Sequence, residues 1–175
     1  MNKNLFKYTV IGFIFVSILG SLAHFFYEWS GYSFIVGLFS AVNESVWEHL
    51  KLLFFPYLIW SIIEFFALDK NKAVFPATAL GAVSGMTAIV VFFYVYTGIT
   101  GENIDFLNII SFFIGVAVSF AVDYTLIKNE KFSTTSGMVI GITALLIIMM
   151  FFILFTVFPV KIPLFKDPIS STYGI

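Results

Sequence analysis

The sequence predicts an all-α membrane protein, in which five transmembrane helices form a bundle and a short re-entrant or interfacial segment follows the first of them. Of its 175 residues, 60% are hydrophobic and only 11% are charged. The mean hydropathy of +1.02 is far above that of a soluble domain. Five apolar stretches are long enough to cross a hydrocarbon core about 30 Å thick, which takes roughly 20 helical residues. We therefore expect a polytopic membrane protein with a single domain, residues 1–175.

The first span, residues 6–27, is an apolar run that begins beside Lys3 and Lys7. Lysines, an apolar run and the small residues around Ser21 and Ala23 are also the pattern of a signal peptide cleaved after Ala23. The run continues smoothly to Phe26, however, and the segment after it does not have the composition of a soluble mature domain. This favours a transmembrane helix.

The next segment, residues 32–50, differs from the spans because an apolar part of about ten residues runs into a polar part. Ten residues are too few to cross a membrane, which indicates a re-entrant or interfacial segment. A single helix from Tyr32 to Leu68 would be about 55 Å long at 1.5 Å per residue. We therefore expect a break between Ser40 and Asn43, both of which are suitable helix N-caps.

Four further apolar stretches are separated by short polar links that contain charged residues. We predict spans at residues 52–68, 73–97, 106–127 and 136–160, followed by a tail at 161–175. Two of these spans contain small residues four apart, a spacing that permits close helix approach. These pairs are candidate faces for a homo-oligomer: Gly81/Gly85 and Gly137/Gly141.

The placement of the lysines predicts the orientation, because cytoplasmic loops retain positive charge. With the N-terminus inside, more lysines lie on the cytoplasmic side than on the outside, and five spans then place the C-terminus outside. We expect a multi-pass protein of the cell membrane with the lipid bilayer as its main partner. The cytoplasmic lysines are Lys3, Lys7, Lys70, Lys72, Lys128 and Lys131, and the external ones are Lys51, Lys161 and Lys166.

Composition also excludes several function classes. The formal net charge is −1, and all nine basic residues are lysines. A chain without arginine lacks the basic patches that nucleic-acid binding requires, so no nucleic-acid partner is expected. The absence of cysteine excludes disulfides, thiolate metal sites and cysteine nucleophiles.

Histidine and carboxylate side chains gather on the predicted external side. His24 and Glu28 lie one helical turn apart, and Glu44 and Glu48 have the same spacing in the next segment. Metal sites in helical bundles are assembled from such pairs, and this ligand set suits zinc, iron or manganese. We predict these four residues as metal ligands. The catalytic candidates are Glu48 and His49, the latter as a further ligand or a general base.

Other interpretations of this cluster stay open. The carboxylates could be solvated at the headgroup boundary, and Glu48 could form an ordinary helix-surface pair with Lys51. The ligand spacings of zincins, zinc deaminases and di-iron proteins are absent, so the spacing does not identify a reaction. Three functions remain: a membrane-embedded, metal-dependent hydrolase acting on lipid-linked substrates, a small solute or ion carrier, and a structural or partner-binding subunit.

Two further carboxylates, Glu64 and Asp123, are predicted about one turn from the cytoplasmic ends of their spans. Ionisable side chains at membrane depth are costly and indicate function. The two could share a proton, form the inner end of a proton path, or pair with Lys70 or Lys128. Their shallow depth favours pairing or hydration.

The C-terminal stretch from Pro159 onward contains three prolines and several apolar residues, so we expect the tail to fold back over the external face, where Asp167 could join the cluster. The stretch from Phe39 to Lys51, together with Phe92 to Gly98 and Pro163 to Gly174, resembles a domain-of-unknown-function family of small bacterial membrane proteins. The resemblance covers essentially the whole chain. It implies a five-helix membrane protein and brings no established activity, substrate or catalytic residue.

Overall fold

A computed structural model describes residues 3–175, and these residues form six α-helices. Five of them are long and apolar enough to cross a membrane, which confirms the predicted fold class. The helices are α1 (Lys3–Trp29), α2 (Phe34–Gly37), α3 (Val46–Ala67), α4 (Val74–Thr100), α5 (Asp105–Lys128) and α6 (Thr135–Val157), and a 3-10 turn follows at Pro163–Phe165.

The long helices run alternately up and down, which gives the bundle two distinct ends. One end carries the loops 30–45 and 101–104 and the tail, and we call it the tail end. The other carries the start of α1 and the loops 68–73 and 129–134, and we call it the amino-terminal end. The tail end is the one predicted to be external.

The segment between α1 and α3 is a loop with one short helix and does not cross the membrane as a second span. The chain leaves α1 through Gly31 and Tyr32, both with positive φ, and then forms only the four residues of α2. Helix α3 begins at Val46, earlier than the predicted start at residue 52. Its N-cap is Ser45, whose side chain accepts a hydrogen bond from the Glu48 N–H. Ser40 and Asn43, the expected caps, lie in the turn before it.

Helix α3 lies in the centre of the bundle and packs against α1 and α4. Its buried face joins residues of α5 in the main apolar core, where Leu53, Phe54 and Val116 are fully buried. This core occupies the middle levels of α3, between its two polar ends. Helix α6 contacts mainly α4 and is the least buried of the five long helices.

Small residues allow close contacts between helices of this chain. A methyl group added to Gly85 would lie 2.5 Å from the Gly115 carbonyl oxygen, and one added to Gly81 would lie 2.5 Å from the Tyr57 hydroxyl. A methyl group on Gly141 would meet the backbone of Pro76 at 2.4 Å. Gly81, Gly85 and Gly141 therefore take part in packing within this chain.

The tail folds back over the start of α3. Phe165 packs against the Trp47 ring, with 4.8 Å between ring centroids, and the Ile175 N–H donates to the Thr156 carbonyl oxygen at 3.1 Å. Asp167 does not reach the histidines. Its carboxylate instead accepts hydrogen bonds from the Ile169 N–H and the Ser170 hydroxyl, within its own turn.

Candidate metal centre

Both histidines of the chain meet one carboxylate at the tail end. The Glu44 Oε2 atom lies 3.6 Å from His24 Nε2 and 3.3 Å from His49 Nε2. One ligand atom from each of the three residues lies within 4.8 Å of the other two. The histidine rings are in edge-to-face contact, with centroids 5.2 Å apart. We call this group the His24–Glu44–His49 triad.

Each triad residue comes from a different part of the chain. His24 lies near the end of α1, Glu44 lies in the loop before α3, and His49 lies in the first turn of α3. The side chains are partly exposed, with 34%, 40% and 27% of their surface accessible. A group held at the boundary of the bundle in this way can exchange a ligand with its surroundings.

Hydrogen bonds fix the loop that carries Glu44. The Asn43 side chain accepts from the Ser45 N–H at 2.9 Å and donates to the Gly174 carbonyl oxygen at 3.1 Å. The Val42 N–H donates to the Glu48 carboxylate at 3.2 Å. Glu44 is therefore held between an anchored turn and the first turn of α3.

A backbone carbonyl orients the His49 ring. His49 Nδ1 lies 2.9 Å from the Ser45 carbonyl oxygen, which can only accept, so Nδ1 carries the donating proton. In the neutral ring the unprotonated nitrogen is then Nε2, and this is the atom that faces Glu44. Metal-binding histidines are typically held by such a bond from the other ring nitrogen.

The two histidines also stabilise the ionised form of Glu44. The neighbouring His24 side chain, followed by that of His49, lowers the pKa of the Glu44 carboxyl well below its ordinary value of 4.5, against the opposing effect of partial burial. Glu44 is therefore a carboxylate throughout the physiological pH range. An ionised carboxylate is the form that binds a metal ion.

A cavity of about 40 Å³ lies beside Glu44 and His49, between α3, α4 and α5. This volume has room for about two or three water molecules. Apart from Glu44 and His49, two polar side chains line the cavity, Asn108 and Ser111, and the rest of the wall is apolar. The apolar lining residues are Val46, Leu52, Ile89, Phe93 and Phe112.

The structure does not bring Glu28 or Glu48 into the triad. Glu28 is exposed near the end of α1. Glu48 is buried and forms an ion pair with Lys51 at 2.5 Å. The Thr156 hydroxyl lies 3.0 Å from Glu48 Oε1, and Lys51 Nζ also donates to the Gly37 carbonyl oxygen at 2.7 Å.

Sequence reasoning considered the Glu48–Lys51 pair only as a helix-surface contact, whereas both side chains are inside the bundle. The spacing of three residues was a visible signal for the pair. Nothing in the sequence indicated Thr156, which is 108 residues away along the chain. His49, expected as a further ligand or a base, lies in the triad itself.

Glu64 and Asp123 lie on α3 and α5 towards the amino-terminal end, and both are fully buried. Among residues 3–175, no ion pair joins either carboxylate to a lysine. Lys128 lies instead over the Tyr124 ring, 5.5 Å from its centroid, and Lys70 is exposed. The expected pairing with Lys70 or Lys128 is therefore not found among the described residues.

Comparison with known proteins gives a family and no function. Searches of curated proteins and of solved structures find no match to this chain. The model of one family, described as a family of unknown function, matches residues 1–175. The five apolar helices agree with the membrane character expected from the sequence. The chain belongs to this family of unknown function, DUF6512.

Proposed function

We propose that the protein binds one divalent transition-metal ion, of the zinc, iron or manganese type, through His24, Glu44 and His49. The observation that carries the proposal is the distance from Glu44 Oε2 to a ring nitrogen of each histidine, in a group whose ligand atoms all lie within 4.8 Å of one another. Atoms about 2.0 to 2.2 Å from a tetrahedral metal ion are about 3.3 to 3.6 Å from one another. The two distances to Glu44 Oε2 are 3.3 and 3.6 Å.

The orientation of His49 supports the same proposal. Its Nε2 lone pair faces the oxygen of an ionised carboxylate, and two acceptors at that distance repel each other. A proton on Nε2 or a cation between the groups removes the repulsion. Two imidazoles and one carboxylate are an established zinc ligand set.

The cavity supports a hydrolytic role for the centre. Two histidines and one glutamate leave a coordination position for water, as in catalytic zinc sites. A metal-bound water has a pKa near 7 and is a strong nucleophile at neutral pH. The cavity beside Glu44 and His49 has room for the water that hydrolysis consumes, and the partly exposed triad lies at one end of a membrane-spanning bundle, where lipid headgroups are the nearest substrates. We therefore propose metal-assisted hydrolysis of a lipid-borne substrate.

The carrier alternative is less well supported. A carrier needs a path between the two ends of the bundle. Leu53, Phe54 and Val116 are fully buried in the core at the intermediate levels of α3 and α5. This packing favours a site that works from the tail end.

Metal binding is tested by calorimetry on the full chain in detergent micelles, after treatment with a chelator. Zn²⁺, Mn²⁺ and Fe²⁺ are titrated separately, and we expect one equivalent to bind. His24→Ala, His49→Ala and Glu44→Gln should each weaken binding at least tenfold. The matched control is Glu28→Gln, which changes an exposed carboxylate outside the triad and should bind as the wild type does. Equal binding by the wild type and all three triad variants would refute the metal centre.

The hydrolytic role needs a separate test. Metal-loaded protein in mixed micelles is incubated with acyl-ester lipids, and release of fatty acid is measured. Activity should disappear with chelator, return with metal, and be retained in Glu28→Gln. Stoichiometric metal binding without metal-dependent release would leave the centre in place and refute the hydrolase.

We also propose that the N-terminus lies in the cytoplasm and the tail end outside, from the asymmetry of the lysines. Reporter domains fused after Lys72 and Lys131 should behave as cytoplasmic. Reporters fused after Asp105 and Ile175 should behave as external. A cytoplasmic signal from the fusion after Ile175 would reverse the assignment and would place the triad on the cytoplasmic face.

A further inference from the structure

The second polar group of the bundle, at the amino-terminal end, contains only acids and hydroxyls. Glu64 of α3 and Asp123 of α5 are both fully buried, and their carboxyl groups lie within hydrogen-bonding range of each other. Two carboxylates cannot both be ionised at such close range in a water-free interior without a large energetic penalty. Something positive must therefore lie between them.

The surroundings distinguish the two carboxyl groups. The Thr78 hydroxyl lies 3.5 Å from Asp123 Oδ1. Neither oxygen of Glu64 has a hydrogen-bond donor, although both are inaccessible to solvent. A buried carboxylate without any donor is strongly disfavoured, whereas a protonated carboxyl can donate its own hydrogen. Asp123 Oδ2, which also lacks a donor, is the acceptor that remains.

We propose that Glu64 and Asp123 form a proton-binding site, in which the Glu64 carboxyl carries one proton and donates it to the Asp123 carboxylate. The pair then holds a single negative charge, which the Thr78 hydroxyl near Asp123 stabilises. The ligand of this site is a hydrogen ion. It is separate from the triad in place, in residues and in chemistry, since all of its ligand atoms are oxygens.

The groups that face the pair come from three helices. Helix α3 supplies Glu64 and Tyr57, α5 supplies Asp123, and α4 supplies Thr78, which does not titrate. Tyr57 also donates to the Ser119 carbonyl oxygen at 3.3 Å. On α1, Tyr8 packs against the neighbouring apolar residues and Lys7 is exposed. No lysine forms an ion pair with either carboxyl group in the described part of the chain, so a proton is the neutralising charge available.

Infrared spectroscopy of the full chain in nanodiscs tests the site. A protonated carboxyl has a C=O stretching band that an ionised carboxylate lacks and that shifts in D₂O. At neutral pH, where exposed carboxyl groups are ionised, we expect the wild type to show this band. It should be absent from Glu64→Gln and retained in the matched control Glu28→Gln. In Asp123→Asn it should remain but shift in frequency, because Glu64 stays buried and keeps its proton but loses the carboxylate that accepts it. Persistence of the band in Glu64→Gln, or its absence from the wild type at neutral pH, would overturn the proposal.

A second measurement excludes a metal cation as the ligand. Hard cations also prefer oxygen ligands, so Na⁺ and Ca²⁺ are added separately to the wild type. The band should keep its intensity. Loss of the band on addition of either cation would mean that the pair is a cation site, and the proton assignment would be wrong. This titration uses only the wild-type chain, so it remains decisive even if the two variants fail to fold.

Discussion

Glu44 and Glu48 lie one helical turn apart, yet the structure gives them opposite environments. Glu44 lies in a loop, keeps 40% of its side-chain surface exposed, and faces two histidines. Glu48 is inside the bundle, where Lys51 and Thr156 hold it. A histidine can release its proton and bind a metal ion, whereas a buried lysine cannot be replaced in this way. Glu44 can therefore exchange its histidine partners for a metal ion, whereas Glu48 stays paired with Lys51.

The largest effect on stability should come from breaking the buried ion pair between Glu48 and Lys51. Lys51→Met leaves Glu48 buried without a cation, which should lower the free energy of unfolding by about 3 to 5 kcal/mol. Unfolding by SDS in mixed micelles measures the loss. The double variant Glu48→Leu, Lys51→Met should recover most of it, because an apolar pair of similar size is often neutral or better. A loss below about 1 kcal/mol in Lys51→Met would show that the pair is solvated.

Metal binding should have the next largest effect on stability, and this effect should require Glu44. With free metal at one hundred times its dissociation constant, the wild type should gain about 2.7 kcal/mol of unfolding free energy. Glu44→Gln, with its affinity lowered at least tenfold, should gain no more than about 1.4 kcal/mol, while Glu28→Gln should gain as much as the wild type. Melting curves recorded with and without metal provide the comparison. Equal stabilisation of Glu44→Gln would mean that the metal binds elsewhere.

A smaller loss of stability is expected at Thr156, whose hydroxyl hydrogen-bonds to both Glu48 and Lys51. Thr156→Val keeps the shape of the side chain and removes a buried hydrogen-bond partner, so it should lower stability by about 1 to 3 kcal/mol. Metal affinity should not change. The control is Thr125→Val on α5, where the hydroxyl bonds only to the Ala121 carbonyl oxygen on an exposed face. If both valine variants unfold alike, the network adds little to stability.

The smallest effect should be that of Glu44→Gln in the absence of metal. Partly exposed ion pairs contribute about 0 to 1 kcal/mol, since solvent screens them. Chelator-treated wild type and Glu44→Gln should therefore unfold within about 1 kcal/mol of each other. A loss close to that of Lys51→Met would mean that both carboxylates have permanent structural partners, and the distinction between them would fail.

The spans could be predicted because length and apolar composition determine what crosses a bilayer. The proximity of His24 and Glu44 was also expected from their place at the same end of the bundle. The environment of Glu48 was not, because it depends on Lys51 turning inward and on Thr156 of a distant helix. Glu28 has the same spacing from His24 as Glu48 has from Glu44, but it lies on the exposed side of α1. Residue spacing predicts which side chains share one face of a helix. What that face contacts depends on how the helices pack.

The hydrogen bond between Asn43 and Gly174 has a consequence for the biogenesis of the protein. The two residues are 131 positions apart, so the loop that carries Glu44 stays without this anchor while α3, α4, α5 and α6 are translated and inserted. The triad can reach its final geometry only after the tail has returned to the start of α3. A nascent chain arrested before the tail would have all three ligand residues and an unfinished site, so metal loading should follow synthesis rather than accompany it.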